Sequence, residues 1–257
     1  MWNSYVSQRD LTEEGVVPSG SRLAALLFDI RNDFHSRYGG TKKFLGFILV
    51  GHSMGGLVTK DAVAAINEGR FSDLDVVQSA ESLEVKLLIS LDAPHLGLRH
   101  TPGRPYQPFP PSWVDATIGE QFAVDLGNDE LIHRLERAVQ GMPRVYFGCD
   151  KDRLVPLKNA LACCEDTGRA GGFFEEDVRR KTVEVPFESG LGARNRLWFL
   201  SRYGPKLFVE DCVLGGHAFV ALWPTWIKSV VDIVDGFTIS GDVEFDKKRD
   251  DINFDSK

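Results

Sequence analysis

The chain has 257 residues, 43% of them hydrophobic and 26% charged, which suits one large α/β domain with a sizeable core. Its formal net charge of −7 argues against nucleic acid as a partner, because such binding needs clustered Lys and Arg. No window reaches the roughly 18 consecutive apolar residues of a membrane span, so no integral membrane segment is expected.

Met1 to Ser7 is short enough to be the end of one strand, and Gln8 to Gly20 reads as a loop through Gly15, Pro18 and Gly20. Ser19 or Ser21 then caps a predicted helix to about Tyr38, with Leu23, Leu26, Leu27, Ile30 and Phe34 on one stripe. Gly39-Gly40 ends it. Phe44 to Val50 is an apolar run of strand length, and the chain from Met54 to about Asn67 returns to an Ala/Val-rich helical pattern.

Between that strand and that helix stands Gly51-His52-Ser53-Met54-Gly55, a G-x-S-x-G sequence. Alone it is a weak signal, since Gly and Ser are common and a solvated loop serine is the bland reading. A strand directly before and a helix directly after supply the context of a nucleophile elbow. The sharp turn demands small flanking side chains, and Gly51, Gly55 and Gly56 are read as meeting that demand. The serine hydroxyl would sit at the start of a helix, where free N–H groups and the dipole favour developing negative charge.

Lys86 to Leu91 is a second predicted buried strand, leading into Asp92-Ala93-Pro94-His95-Leu96-Gly97. Arg99 to Ser112 is rich in proline and flanked by aromatics, so it reads as an irregular covering segment. Phe122 to Val139 has helical spacing, and Pro143 to Cys149 is a third strand that ends in Asp150-Lys151-Asp152-Arg153-Leu154-Val155-Pro156. Asn159 to Cys164 suggests a short helix, and Glu165 to Arg180 a charged, Gly-rich insertion loop. Lys181 to Phe187 is read as an edge strand, with Pro186 confining it there, and Lys206 to Leu214 as a last strand before Gly215-Gly216-His217. Ala218 to Val234 closes the domain as a helix, and an acidic polar tail follows.

Strands alternating with helices predict an α/β fold, a mostly parallel sheet with helices on both faces. In such sheets chemistry collects at the carboxyl ends of the strands. Ser53, Asp152 and His217 each follow directly after a strand-like run. The expected organisation is a single domain over 1–236, with a cap-like stretch at about 98–140, an insertion at about 165–203, and a disordered tail over 237–257.

The order Ser…Asp…His resembles that of the α/β-hydrolases, and within them the lipase-like serine esterases near the GPI inositol-deacylase group. Gly51-His52-Ser53-Met54-Gly55-Gly56-Leu57-Val58, Pro94-His95-Leu96-Gly97, Asp152-Arg153-Leu154-Val155-Pro156 and Gly216-His217 carry the likeness, over roughly Ala24 to Val234. The resemblance implies a carboxylic-ester hydrolase acting on a small-molecule or lipid acyl ester. Ser53 would be the nucleophile, His217 the base, Asp152 the acid that orients it, and the Met54 N–H an oxyanion donor. Asp150 is the competing acid, with a turn residue as its plain reading; a core histidine is the plain reading of His217.

Two features depart from that pattern. The His-Gly loop that supplies a second oxyanion donor in the family is not found before Ser53, so the chain is read as starting after the family's first strands, with a substitute donor sought between Ser4 and Asp10. The separation of Asp152 from His217 is about twice the family's usual one. The alternative reading is therefore a catalytically impaired hydrolase-fold protein that binds a partner, and transfer of the acyl group to an acceptor other than water is a third. Neither the histidines nor Cys149, Cys163, Cys164 and Cys212 have metal-ligand spacing, and no metal or cofactor is expected. No signal-peptide pattern follows Met1, which makes the cytoplasm the default compartment unless a targeting segment lies further upstream.

Overall fold

The structure, a computed structural model, describes residues 14–70, 83–97, 120–149, 155, 157–162, 178–183 and 224–240. In chain order these form α1 (Val16–Tyr38), β1 (Phe47–His52), α2 (Met54–Glu68), β2 (Val85–Leu91), α3 (Glu120–Leu126), α4 (Asp129–Ala138), β3 (Arg144–Cys149), α5 (Leu157–Ala160), β4 (Val178–Val183) and α6 (Pro224–Ser240). The four strands form one sheet in the order β1-β2-β3-β4, and every pairing is parallel. The predicted α/β architecture is therefore the observed one, with β4 at an edge of the described sheet.

Strand alternation divides the apolar side chains between two layers. Leu87, Ile89 and Leu91 of β2 join Val145 and Phe147 of β3 and pack against Val230, Ile233, Val234 and Phe237 of α6. On the other face Leu49, Val85 and Leu88 meet Leu57, Val58, Ala62 and Val63 of α2, with Leu23 and Leu27 of α1 behind them. Phe122, Leu126, Leu131, Ile132 and Leu135 belong to that same cluster. Residues 120–140 of the expected cap thus contribute to the core, while 98–119 lies outside the described residues. The break between α3 and α4 falls at Gly127-Asn128, where the Asn128 side chain accepts from the Leu131 N–H at 3.1 Å and caps α4.

The helix expected from Ser19 or Ser21 instead begins at Val16, so Pro18 and Gly20 are helical rather than loop. Pro18 stands in the first turn, where a backbone N–H has no intrahelical acceptor to lose. The Val16 N–H donates to Asp125 Oδ2 of α3 at 2.6 Å, a cap supplied from 109 residues away. Gly20 lies where any side chain would overlap Asp61 of α2, so its small size serves helix packing. Val178–Arg180, expected as the end of an insertion loop, belong to β4, and the closing helix runs on to Ser240. The expected strands at Met1–Ser7 and Lys206–Leu214 lie outside the described residues; of the tail expected to be disordered over 237–257, residues 237–240 belong to α6 and the rest lies outside the described residues. None of the described helices is long and apolar enough to cross a membrane.

Candidate active site

β1 carries the chain up through His52, and α2 starts at Met54, leaving Ser53 alone at the turn. Its backbone has φ 55° and ψ −129°, a conformation that L-residues other than glycine rarely adopt. The Ser53 N–H donates to the Leu91 carbonyl of β2 at 2.8 Å, and the Ser53 carbonyl accepts from Gly56 N–H at 3.0 Å. The serine is thus fixed between two strand ends and the first turn of a helix. This is the strand–Ser–helix elbow expected from the sequence, and Ser53 is half-buried there.

The glycines around it divide differently from the sequence reading. A Cβ on Gly51 would come within 2.5 Å of the Gly55 carbonyl oxygen, and one on Gly56 would overlap the Ala93 side chain. A Cβ on Gly55 would meet nothing within 4 Å. Close packing therefore requires Gly51 and Gly56, whereas position 55 has room.

Met54 is the first residue of α2 and packs against the core beside it. The first N–H groups of any helix lack intrahelical acceptors, and the Met54 amide is one of them. Behind the turn, the ten consecutive residues Gly56–Ala65 are all buried, which makes α2 a core helix rather than a half-exposed one.

The loop after β2 lies alongside. The Asp92 N–H donates to Phe147 O of β3 at 3.0 Å, and Asp92 through Gly97 are buried. Asn159 of α5 pins this loop: its Oδ1 accepts from Leu96 N–H at 2.7 Å and its Nδ2 donates to Gly97 O at 2.6 Å. Sequence reasoning gave Asn159 no role. The available signal was an amide side chain three residues beyond Pro156, followed by the apolar run Ala160-Leu161-Ala162. His95, read as a weak candidate flanking the proline-rich stretch, is fully buried, with its ring stacked on Tyr146 at 4.0 Å between centroids. His35 and His133 lie on helices at boundary and surface positions, as expected.

A buried charged cluster stands under the sheet face that carries α2. Lys60 of α2 is ion-paired with Glu136 of α4, and Arg144 at the start of β3 donates to the other Glu136 oxygen at 2.9 Å. The Lys60 ammonium also lies 4.8 Å from the Tyr146 ring centroid. Burial, reinforced by the charge of Arg144, pushes Lys60 well below the ordinary lysine value. In the same helix, burial raises the Asp61 carboxyl, although Arg70 at 2.9 Å and Arg134 at 2.8 Å oppose that shift.

Asp150, Asp152 and His217 lie outside the described residues; of the D-R-L-V-P run the structure describes Val155 alone, and it is buried. Among the described residues no group of three His, Cys, Asp or Glu could hold a metal ion.

Residues 2–107 match the model of a family described as "Putative serine esterase (DUF676)". That match covers less than half of the chain but includes β1, Ser53, α2 and the Pro94–Gly97 loop. No curated protein matches. Among solved structures, the chain is similar to a point mutant of the rice cell wall degrading esterase LipA from Xanthomonas oryzae, at 13% identity and a TM-score of 0.39. The alignment covers 75% of this chain and spans 66% of that esterase's length. The likeness to serine esterases read from the motifs is thus carried by a family match over the part of the chain that holds the elbow. Nothing in these matches narrows it to the inositol-deacylase group.

Proposed function

We propose that the protein is a serine hydrolase of lipase or carboxylesterase type that cleaves an acyl ester through an acyl-serine intermediate. The observation that carries this reading is the backbone of Ser53, held at φ 55° between a strand end and a helix start. Strain of this kind persists where the surrounding fold over-determines it, and it clusters at functional turns. The serine esterase family match over residues 2–107 supports the same reaction class.

In this reading the Ser53 hydroxyl oxygen bonds to the ester carbonyl carbon while its proton passes to the His217 imidazole. The carbonyl electron pair moves onto oxygen, where the Met54 N–H at the start of α2 meets it. Collapse re-forms the carbonyl, and the departing alkoxide takes the proton from the imidazolium. Water then repeats the sequence on the acyl-serine. Asp152 holds the imidazole tautomer and stabilises its charged form. The substrate in this reading is an acyl ester, lipid or small molecule.

Labelling with a fluorophosphonate probe tests the reading. Wild type is expected to be modified at Ser53, and Ser53→Ala and His217→Ala to lose modification. Asp152→Asn should lower ester turnover by about 10⁴-fold, and Asp150→Asn by far less. Folded wild type that resists the probe would favour the binding-protein alternative, and a larger loss in Asp150→Asn would reassign the acid.

A further inference from the structure

We infer that the turn joining α1 to β1 is a docking tip for an anionic lipid surface. The chemistry of Ser53 plays no part in it, and the proposed function leaves this turn idle. Between Tyr38 and Phe47 the sequence reads Gly39-Gly40-Thr41-Lys42-Lys43-Phe44-Leu45-Gly46, two cations followed by two apolar residues. Residues 34–60 hold no Asp or Glu, although the chain has 37 of them and a net charge of −7. Positive charge is therefore gathered here against the trend of the molecule, and it complements an anionic surface.

Local bonds fix the turn. The Tyr38 carbonyl accepts from Thr41 N–H at 2.8 Å, from Lys42 N–H at 3.0 Å and from Thr41 Oγ1 at 3.0 Å. Phe44 is seated among aromatic rings, its centroid 5.4 Å from Phe34 and 4.9 Å from Phe47. Gly46, at φ 124°, passes where a Cβ would come within 2.7 Å of the Glu84 carbonyl oxygen, so the chain is pressed against the residue before β2. With Phe44 and Gly46 both held, Leu45 between them faces water at 65% exposure, more than any other large hydrophobic side chain described. Lys42 and Lys43 beside it are exposed, and neither is ion-paired among the described residues. The Lys42 ammonium lies 4.7 Å from the Tyr38 ring centroid, while the nearby acids are taken, Asp33 by Arg37 and Glu84 by Lys86. One exposed leucine alone would need no partner. A leucine held outward beside two unpaired lysines and a ring cluster has the make-up of an interfacial anchor, with apolar tip, amphipathic stems and charged heads at successive depths. Its shape favours lipid over protein: a projecting side chain needs a matching recess in a folded partner, whereas a fluid layer opens around it. β1 is six residues long, so Ser53 stands about 20 Å away at its other end, and docking here holds the serine rim away from the surface.

Co-sedimentation of the full chain with vesicles tests this, using phosphatidylcholine alone and an equal mixture of phosphatidylcholine and phosphatidylserine. Wild type is expected to bind the mixed vesicles and to bind phosphatidylcholine far less. Leu45→Ser is expected to weaken binding about tenfold. The double change Lys42→Gln with Lys43→Gln is expected to weaken it about 30-fold. Leu45→Trp keeps an apolar tip and should retain binding. All three positions are exposed, so every variant should keep the wild-type circular dichroism and unfolding midpoint. Folded wild type that sediments with neither vesicle overturns the inference, as does equal binding to both. So does full retention of binding by Leu45→Ser or by the double lysine variant. Wild type that ignores vesicles but binds polyglutamate would overturn it in favour of an acidic protein partner. Ser53→Ala is expected to sediment like wild type, so failure of the hydrolase reading would leave the vesicle result standing.

Discussion

At Ser53 the chain holds a backbone conformation whose strain is of order 1–3 kcal/mol, and the neighbouring fold must supply that energy. Glycine adopts the same φ and ψ without a Cβ penalty, though it loses more chain entropy on folding. Ser53→Gly is therefore expected to raise stability by about 1 kcal/mol in urea unfolding while abolishing fluorophosphonate labelling. A Ser53→Gly protein less stable than wild type would mean that the hydroxyl is itself a structural group. The elbow was legible in the sequence because a strand, a serine and a helix leave one backbone solution between them. The role of each glycine was not, since Gly51 and Gly56 are confined by Gly55 O and Ala93, contacts that appear only once the turn is folded.

Among the elements, the start of α1 shows where sequence patterning stops being informative. Gly15, Pro18 and Gly20 look like loop residues, yet helix begins at Val16 because its first N–H finds Asp125 Oδ2 on α3. Asp125 is buried, and its carboxylate sits at a helix N-terminus, where negative charge is favoured. Removing the acceptor with Asp125→Ala is expected to cost about 0.5–2 kcal/mol, and Asp125→Asn distinctly less. Equal losses from the two would show that packing against Gly15, rather than capping, is what the side chain supplies. β1, β2 and β3 were placed to within a few residues because buried parallel strands read as continuous apolar runs. β4 was placed less well: Val178–Val183 carries Arg179, Arg180 and Lys181, and an edge strand with charged side chains has no such run.

Over the whole molecule, two cations and one anion share a dry site between α2, α4 and β3. Lys60, Glu136 and Arg144 are each at most 4% exposed. Lys60→Met leaves Arg144 and Glu136 as a neutral pair and is expected to change stability by no more than about 1 kcal/mol. Glu136→Gln leaves two buried cations without their shared counter-charge and is expected to cost about 3–5 kcal/mol. The pH dependence follows from the lowered Lys60 value. The unfolded chain binds this proton up to the ordinary lysine value of 10.5, whereas the folded chain releases it earlier, so Lys60's contribution to stability rises with pH across that window and is lost as pH falls through the folded value. Wild type should therefore gain on Lys60→Met between neutral and alkaline pH in urea unfolding, and a constant gap would contradict the shift.

The burial of α2 along Gly56–Ala65 also joins Ser53 to the cooperative unit of the fold. Ser53 cannot drift from its post while the core survives, so denaturant should silence probe labelling and circular dichroism at one common midpoint. On the proposed function, probe labelling of Ser53 would then serve as a built-in gauge of how much of the protein is intact.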